Sequence, residues 1–490
     1  MFSRRTLNIL MLSIGFMLLF ISFQTMANIM ITILHSVQVD DKNYDGDAKI
    51  SLAIIYVVLA VSNFLAPSIV NKFGTRLSMV IGAVTYSIFI ASFLLPITYV
   101  LYIVSVLLGI GGAIIWTAQG TYLTQNSDNL TISRNSGIFW AIFQCSQLFG
   151  NLFVFFAFEG KKHIDLETRT YVYTTLTVIS IVGILLLLLL RPAVTSQGEE
   201  ITEINVGAIL AIRRVFGLFT EGKMLLLCIS FCKTCGGYVE LVVATHICKI
   251  GIKVFANNGV RDITESAPEE KVFSLLYTGA LLSFAGSIYN PCIGFTMQFG
   301  DNRKSLVGLG GILFGVGEVF GGTVFGWLGP KSVIWGRNPI IFMGCFNFLV
   351  CFALIFLNIP DSSAYGDTND VSFFSPPIWW LAVLCSFLLG FGDSCFNTQI
   401  YSIIGTIWRE DSTSPFAMFK FIQSVSSGLA FIYFKYLGLN TLIIILSVTV
   451  VLASVTFIFV ERIAVKLNRE LDKNVLSTAT DRSFVGMHVE

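Results

Sequence analysis

Charge is scarce in this chain: 31 Lys and Arg and 30 Asp and Glu make up only 12% of its 490 residues, for a formal net charge of +1. No basic surface suited to nucleic acid can be assembled from that balance, and no excess of either sign points to a charged macromolecular partner. Histidine is scarcer still, with four residues at His35, His163, His246 and His488. They are scattered, and neither a P-loop nor a nucleophile elbow accompanies them, so an enzyme is not expected and no cofactor is required. Most of the ten cysteines sit in apolar runs (Cys145, Cys228, Cys345, Cys351, Cys385, Cys395), where free Cys acts as a small hydrophobe and a disulfide framework is not expected. Cys232 and Cys235 have CxxC spacing but lack the second pair that a zinc site needs. Asp41 to Gly46 imitates the start of a calcium loop, yet its twelfth position is Leu52 and its flanks are apolar.

What is abundant is apolar sequence: 54% hydrophobic and 13% aromatic residues, with a mean hydropathy of +0.77. A soluble domain of this length could not cover so much apolar surface, so lipid is the solvent for most of the chain. Arg4 and Arg5 precede an apolar run from Leu7 to Leu34, too long for a signal peptide and without a small-residue cleavage site; it reads as a retained first helix.

Apolar runs long enough to span a bilayer are expected at Leu7–Leu34, Ile50–Val70, Leu77–Leu95, Tyr99–Thr121, Ser136–Phe158, Tyr171–Leu190, a broken one over Met224–Phe295, then Leu306–Leu328, Pro339–Leu357, Ile378–Ile407, Phe416–Tyr436 and Leu442–Val460. The fold class is therefore all-α integral membrane, twelve helices in two six-helix bundles: residues 1–190 and 224–460, joined by a linker at 191–223 and followed by a tail at 461–490. The linker reads either as an amphipathic helix on the inner leaflet around Arg213 and Arg214 or as a plain connector, and the mixed-charge tail is expected to be helical only at its start. Residues 231–274 carry too much charge for lipid and read as an insertion that interrupts span seven.

Loops on the N-terminal side would hold seventeen Lys and Arg, from Arg4 and Arg5 through Arg134, Arg337 and Arg409 to Arg482, against seven opposite (Lys42, Lys49, Lys161, Lys162, Arg169, Arg303, Lys304). That bias places both termini in the cytosol. It also puts the sequon Asn129-Leu130-Thr131 inside, so no N-linked sugar is expected. Plasma membrane and endolysosomal membrane both remain open as the home of the chain.

The polar residues inside these runs are the candidates for function. LLGFGDSCFNTQ at Leu388–Gln399 buries a carboxyl, Asp393, and is echoed by LLGIGGAIIWTAQ at Leu107–Gln119, with Gly109 on Gly390, Gly111 on Gly392 and Gly112 on Asp393. Phe143-Gln144 likewise matches Ile422-Gln423, and Ser62-Asn63 is laid on Gly317-Glu318. Asp393 reads either as an ion- or proton-coupling group or as a packing carboxylate, and Glu318, among small residues, either as a second coupling group or as interhelical glue. Gln24, Asn28, Trp116, Gln119, Gln144, Asn397 and Gln399 form a neutral polar set suited to hydrogen-bonding a small solute, with Trp116 as a stacking wall. Lys420, a few residues past Asp411, is expected to snorkel to the inner interface.

The strings WTAQGTYLT (Trp116–Thr124), RNSGIFWAIFQ (Arg134–Gln144), NLFVFFAFEGK (Asn151–Lys161), GRNP (Gly336–Pro339), LCSFLLGFGDSCFNTQ (Leu384–Gln399) and FKFIQS (Phe419–Ser424) resemble the Unc-93-like branch of the major facilitator superfamily. The resemblance implies two pseudo-symmetric bundles, a central cavity near the midplane and alternating access. It also implies a latch between the bundles after span two, where Asn71, Lys72, Gly74 and Arg76 stand, with Asn71 at the usual acidic place. Span four lacks the Arg common in proton-coupled members and span five lacks the Gly-Pro motif of antiporters. Two functions follow from the resemblance: a carrier of an unidentified small solute, or a non-transporting regulatory or trafficking partner of a channel or receptor.

Overall fold

The computed structural model describes residues 3–42, 44–128, 130–157, 165–194, 200, 278, 280–281, 283–300, 303–408, 411–434 and 436–486. The linker helix, the insertion, the Cys232–Cys235 pair and Asn129 of the sequon lie outside the described residues. In chain order the helices are α1 (Arg4–Asp40), α2 (Ala48–Ser62), α3 (Ala66–Ala91), α4 (Thr98–Gln125), α5 (Ile132–Ala157), α6 (Leu166–Leu188), α7 (Asn290–Phe295), α8 (Arg303–Trp335), α9 (Asn338–Asn358), α10 (Trp379–Ile407), α11 (Thr413–Phe434) and α12 (Leu439–Gly486). Among the described residues, nine helical stretches are long and apolar enough to cross a membrane.

Local chemistry sets several helix ends. The Ser3 hydroxyl accepts from Thr6 N to cap α1, and the Asp47 carboxylate accepts from Ile50 N to cap α2. Asp47 is thereby engaged, and nearby Asp40 pairs with Arg169 at 2.7 Å, so carboxylates of the calcium-loop mimic and its flank already have structural work. The second apolar run is not one helix: the chain turns at Asn63–Leu65 and resumes with Pro67 in the first turn of α3, where its missing N–H is tolerated. Gly74, at φ 79°, breaks the path again before the third run begins. The tail also departs from expectation, because α12 continues to Gly486. From Glu461 to Val485 it meets no Gly or Pro and is rich in Ala, Leu, Lys, Arg and Glu, so nothing local stops the helix.

Close helix approaches reveal the internal repeat. A methyl group on Gly109 would stand 2.8 Å from Ile55 O of α2, and one on Gly390 would run into Phe314 O of α8. Likewise Gly111 lies against Thr85 of α3, and Gly392 against the Phe348 ring of α9. Paired glycines thus press on paired neighbours, α2 with α8 and α3 with α9. The same contacts correct one register. Matching Ile55 to Phe314 brings Val58 onto Gly317 and Leu59 onto Glu318, one helical turn from the Ser62-Asn63 alignment. Runs of small apolar residues leave that slip invisible until the crossing point is known.

The two halves meet along α5 and α8, where a side chain on Gly137 would come within 2.8 Å of Gly322 O and one on Gly322 within 2.6 Å of Ala141 N. They meet again where Thr121 of α4 donates to or accepts from Thr413 of α11 at 3.2 Å, and where Phe64 packs on Phe421 with centroids 4.7 Å apart. Within the second half, Gly336 at φ 86° turns the chain so that Arg337 enters the protein. Its guanidinium meets Glu461 of α12 at 3.0 Å, Ser402 Oγ at 2.9 Å and Thr406 Oγ1 at 2.7 Å, and its backbone N–H donates to the same Glu461.

Candidate functional site

A cavity of about 280 Å³ lies where the halves face each other. One wall is aromatic. Phe20, Phe23, Tyr86, Trp116 and Phe143 contact one another edge-on or tilted, with Phe20 and Trp116 centroids 5.1 Å apart and Trp116 and Phe143 5.4 Å apart. Such packing fixes the Trp116 ring in place. The first half adds Gln24, Asn28, Tyr56, Gln144 and Gln147, and the second adds Ser283, Asp393, Asn397, Lys420, Gln423, Ser424 and Ser427.

Of the residues singled out from sequence, the structure brings Gln24, Asn28, Trp116, Gln144, Asp393 and Asn397 to this one cavity. Gln24 accepts from Ser146 at 2.5 Å, and Asn28 donates to Asn151 Oδ1 at 3.2 Å, both on α5. Gln144 Oε1 and Asn397 Oδ1 have no hydrogen-bond donor among the described residues. Two of the predicted set lie off the wall. Gln119 falls next to Gly120, where the Phe416 ring of α11 packs directly on α4. Gln399 is two residues beyond Asn397, which turns it to another face of α10, where it donates to Thr398 at 3.1 Å.

Glu318 stands behind the wall, fully buried. Trp140 of the opposite half donates its indole N–H to Glu318 Oε2. Glu318 on α8 and Asp393 on α10 are buried electrostatic neighbours. Asp393 faces the cavity and Glu318 faces the seam, making the pair a connection from one to the other.

Lys420 corrects the sequence reading outright. It is 7% exposed and lines the cavity instead of snorkelling to an interface. Its ammonium sits 4.4 Å from the Trp116 ring centroid, 4.8 Å from Phe419 and 5.7 Å from Tyr401, and donates to Gln423 Oε1 at 2.8 Å. Lys420, Gln423, Ser424 and Ser427 recur at helical spacing on α11, and that polar stripe was the available signal. Lys420 is a full two turns into the helix, too deep for its ammonium to share the interface with Asp411.

The expected latch residues sit elsewhere. Arg76 donates to Leu190 O at 3.2 Å, a contact inside its own half, and Lys72 lies over the Phe73 ring. Neither forms an ion pair among the described residues, in keeping with Asn71 at the acidic place. Charge at this end is instead organised by Arg5, which reaches Asp128 at 3.3 Å and Val194 O at 2.8 Å. A second cleft, of about 420 Å³, lies beside Gly74, Arg76, Pro192 and Glu200. Among the described residues, its lining comes from the first half and the segment after it.

The sequence profile described as "Ion channel regulatory protein UNC-93" matches residues 42–237 and 271–458. The chain belongs to the UNC-93 family. UNC93-like protein MFSD11 of Xenopus laevis is 39% identical over 465 residues, covering 94% of this chain and 96% of its own. UNC93-like protein 3 of Arabidopsis thaliana is 24% identical over 457 residues, covering 90% and 83%. Among solved structures, the human organic anion transporter MFSD10 superposes with a TM-score of 0.57 at 12% identity, covering 93% of this chain and all of its own. The proton:xylose symporter XylE superposes at 0.56 with 12% identity, covering 92% and 95%. This family member therefore has the major facilitator fold, as a multi-pass membrane protein.

Proposed function

We propose that this protein is a solute carrier that binds a small organic molecule in the cavity between its halves and passes it across the bilayer by alternating access. The observation that carries this reading is that both halves line one cavity whose polar groups include side-chain oxygens without donors among the described residues, at Gln144 and Asn397. Such atoms are costly to bury unless something else hydrogen-bonds them. In this reading both termini are cytosolic, and the Asp393–Glu318 pair exchanges a proton as the halves rock, since Trp140 links Glu318 to the opposite half.

A second reading is a regulatory partner of a channel or receptor, favoured by the description of the matching family and by the lack of an ion-paired latch at Lys72 and Arg76 among the described residues. Uptake of pooled metabolites into proteoliposomes, with and without a pH gradient, separates the two. Accumulation that depends on Asp393 supports the carrier. No accumulation, together with a stoichiometric membrane partner recovered by pull-down, overturns it.

A further inference from the structure

We propose that the solute is an organic anion whose carboxylate pairs with Lys420. This rests on the carrier reading for its use, but on separate atoms for its chemistry. Lys420 is more than nine-tenths buried and has three N–H donors, of which one reaches a polar acceptor among the described residues, Gln423 Oε1 at 2.8 Å. Its remaining surroundings are the rings of Trp116, Phe419 and Tyr401. Aromatic faces attract an ammonium but do not replace the hydration it has lost. No carboxylate lies within salt-bridge distance of it among the described residues, although Asp393 lines the same cavity.

The cavity beside this ammonium has the form of an amphipathic solute. Phe20, Phe23, Tyr86 and Phe143 offer an apolar wall, Gln423 bonds the charged end, and Gln144 adds a polar group to the lining. A cationic solute would find one carboxylate among the described lining residues, Asp393, and would face the Lys420 charge as well. An aromatic or aliphatic carboxylate instead supplies the missing acceptor to the ammonium and the apolar body to the wall.

The test is ligand-induced thermal stabilisation of the purified full chain by benzoate, phenylacetate and indole-3-acetate, each beside its neutral primary amide and its corresponding amine, followed by proteoliposome uptake of the same compounds. We expect a carboxylate to raise Tm while its amide does not. Lys420→Gln should weaken that binding by about tenfold or more, and Lys420→Arg should retain it; Lys420→Met serves if the Gln variant does not fold. Failure of every carboxylate, equal binding in folded Lys420→Gln, or preference for the amines overturns the anion assignment. Carboxylate binding without uptake preserves it and removes the carrier reading. Uptake of a neutral solute without carboxylate binding does the reverse.

Discussion

Glu318 on α8 and Asp393 on α10 are buried electrostatic neighbours at a place where the other half of the molecule has Leu59 against Gly112. The repeat thus built the same helix crossing twice and put acid into one copy.

The first prediction follows from that pair. In Glu318→Gln the amide oxygen still accepts from Trp140, so folding should be retained while any dependence of uptake on a pH gradient is lost. Glu318→Ala leaves the buried indole N–H without its acceptor, and thermal denaturation should register a cost of about 1–3 kcal/mol.

The second concerns Arg337 and Glu461, whose side chains are each 3% exposed. Removing one partner strands a buried charge, so Glu461→Gln should destabilise by about 3–5 kcal/mol. The double variant Arg337→Met with Glu461→Leu should recover much of that loss, as read by a double-mutant cycle on purified protein.

Glycines test the helix crossings with opposite signs. Gly137→Ala drives a methyl into the backbone of α8 and should cost about 1–3 kcal/mol. Gly428→Ala, with nothing within 4 Å of the added methyl, should be neutral or stabilising by up to about 1 kcal/mol. Melting temperatures of the two variants against the parent decide this.

Asp128, in the turn between α4 and α5, predicts a pH effect. Partial burial raises its pKa, but hydrogen bonds from the Thr131 hydroxyl and the N–H groups of Thr131 and Leu130, with the Arg5 charge, outweigh this and hold it below the usual aspartate value. A carboxyl depressed on folding stabilises the fold above its unfolded pKa of about 3.9 and loses that contribution as pH falls through the folded value. Acid titration of stability should therefore be shallower in Asp128→Asn than in the parent.

Much of the scaffold was legible. Apolar runs located the spans because lipid imposes length and hydropathy directly, and the Leu-Leu-Gly-x-Gly echo located the repeat because close crossings demand glycine at fixed places. The cavity was legible wherever its residues interrupt an apolar run, as at Gln24, Trp116, Gln144 and Asp393. What escaped depends on partners from distant segments: Arg337 and Glu461 are 124 residues apart, and the setting of Lys420 is built by Trp116 on α4 and Tyr401 on α10. A turn-long register slip between α2 and α8 escaped for the same reason.

Alternating access itself is tested most directly by distances across the seam, measured by double electron–electron resonance in reconstituted protein. One label pair is placed at Leu130 and Trp408, the other at Asp45 and Tyr436, and pH is varied to change the protonation of the carboxyl pair. The account predicts two populations at each pair, with one distance growing as the other shrinks. A single distance at both pairs, unmoved by pH or by any solute that binds, would contradict it.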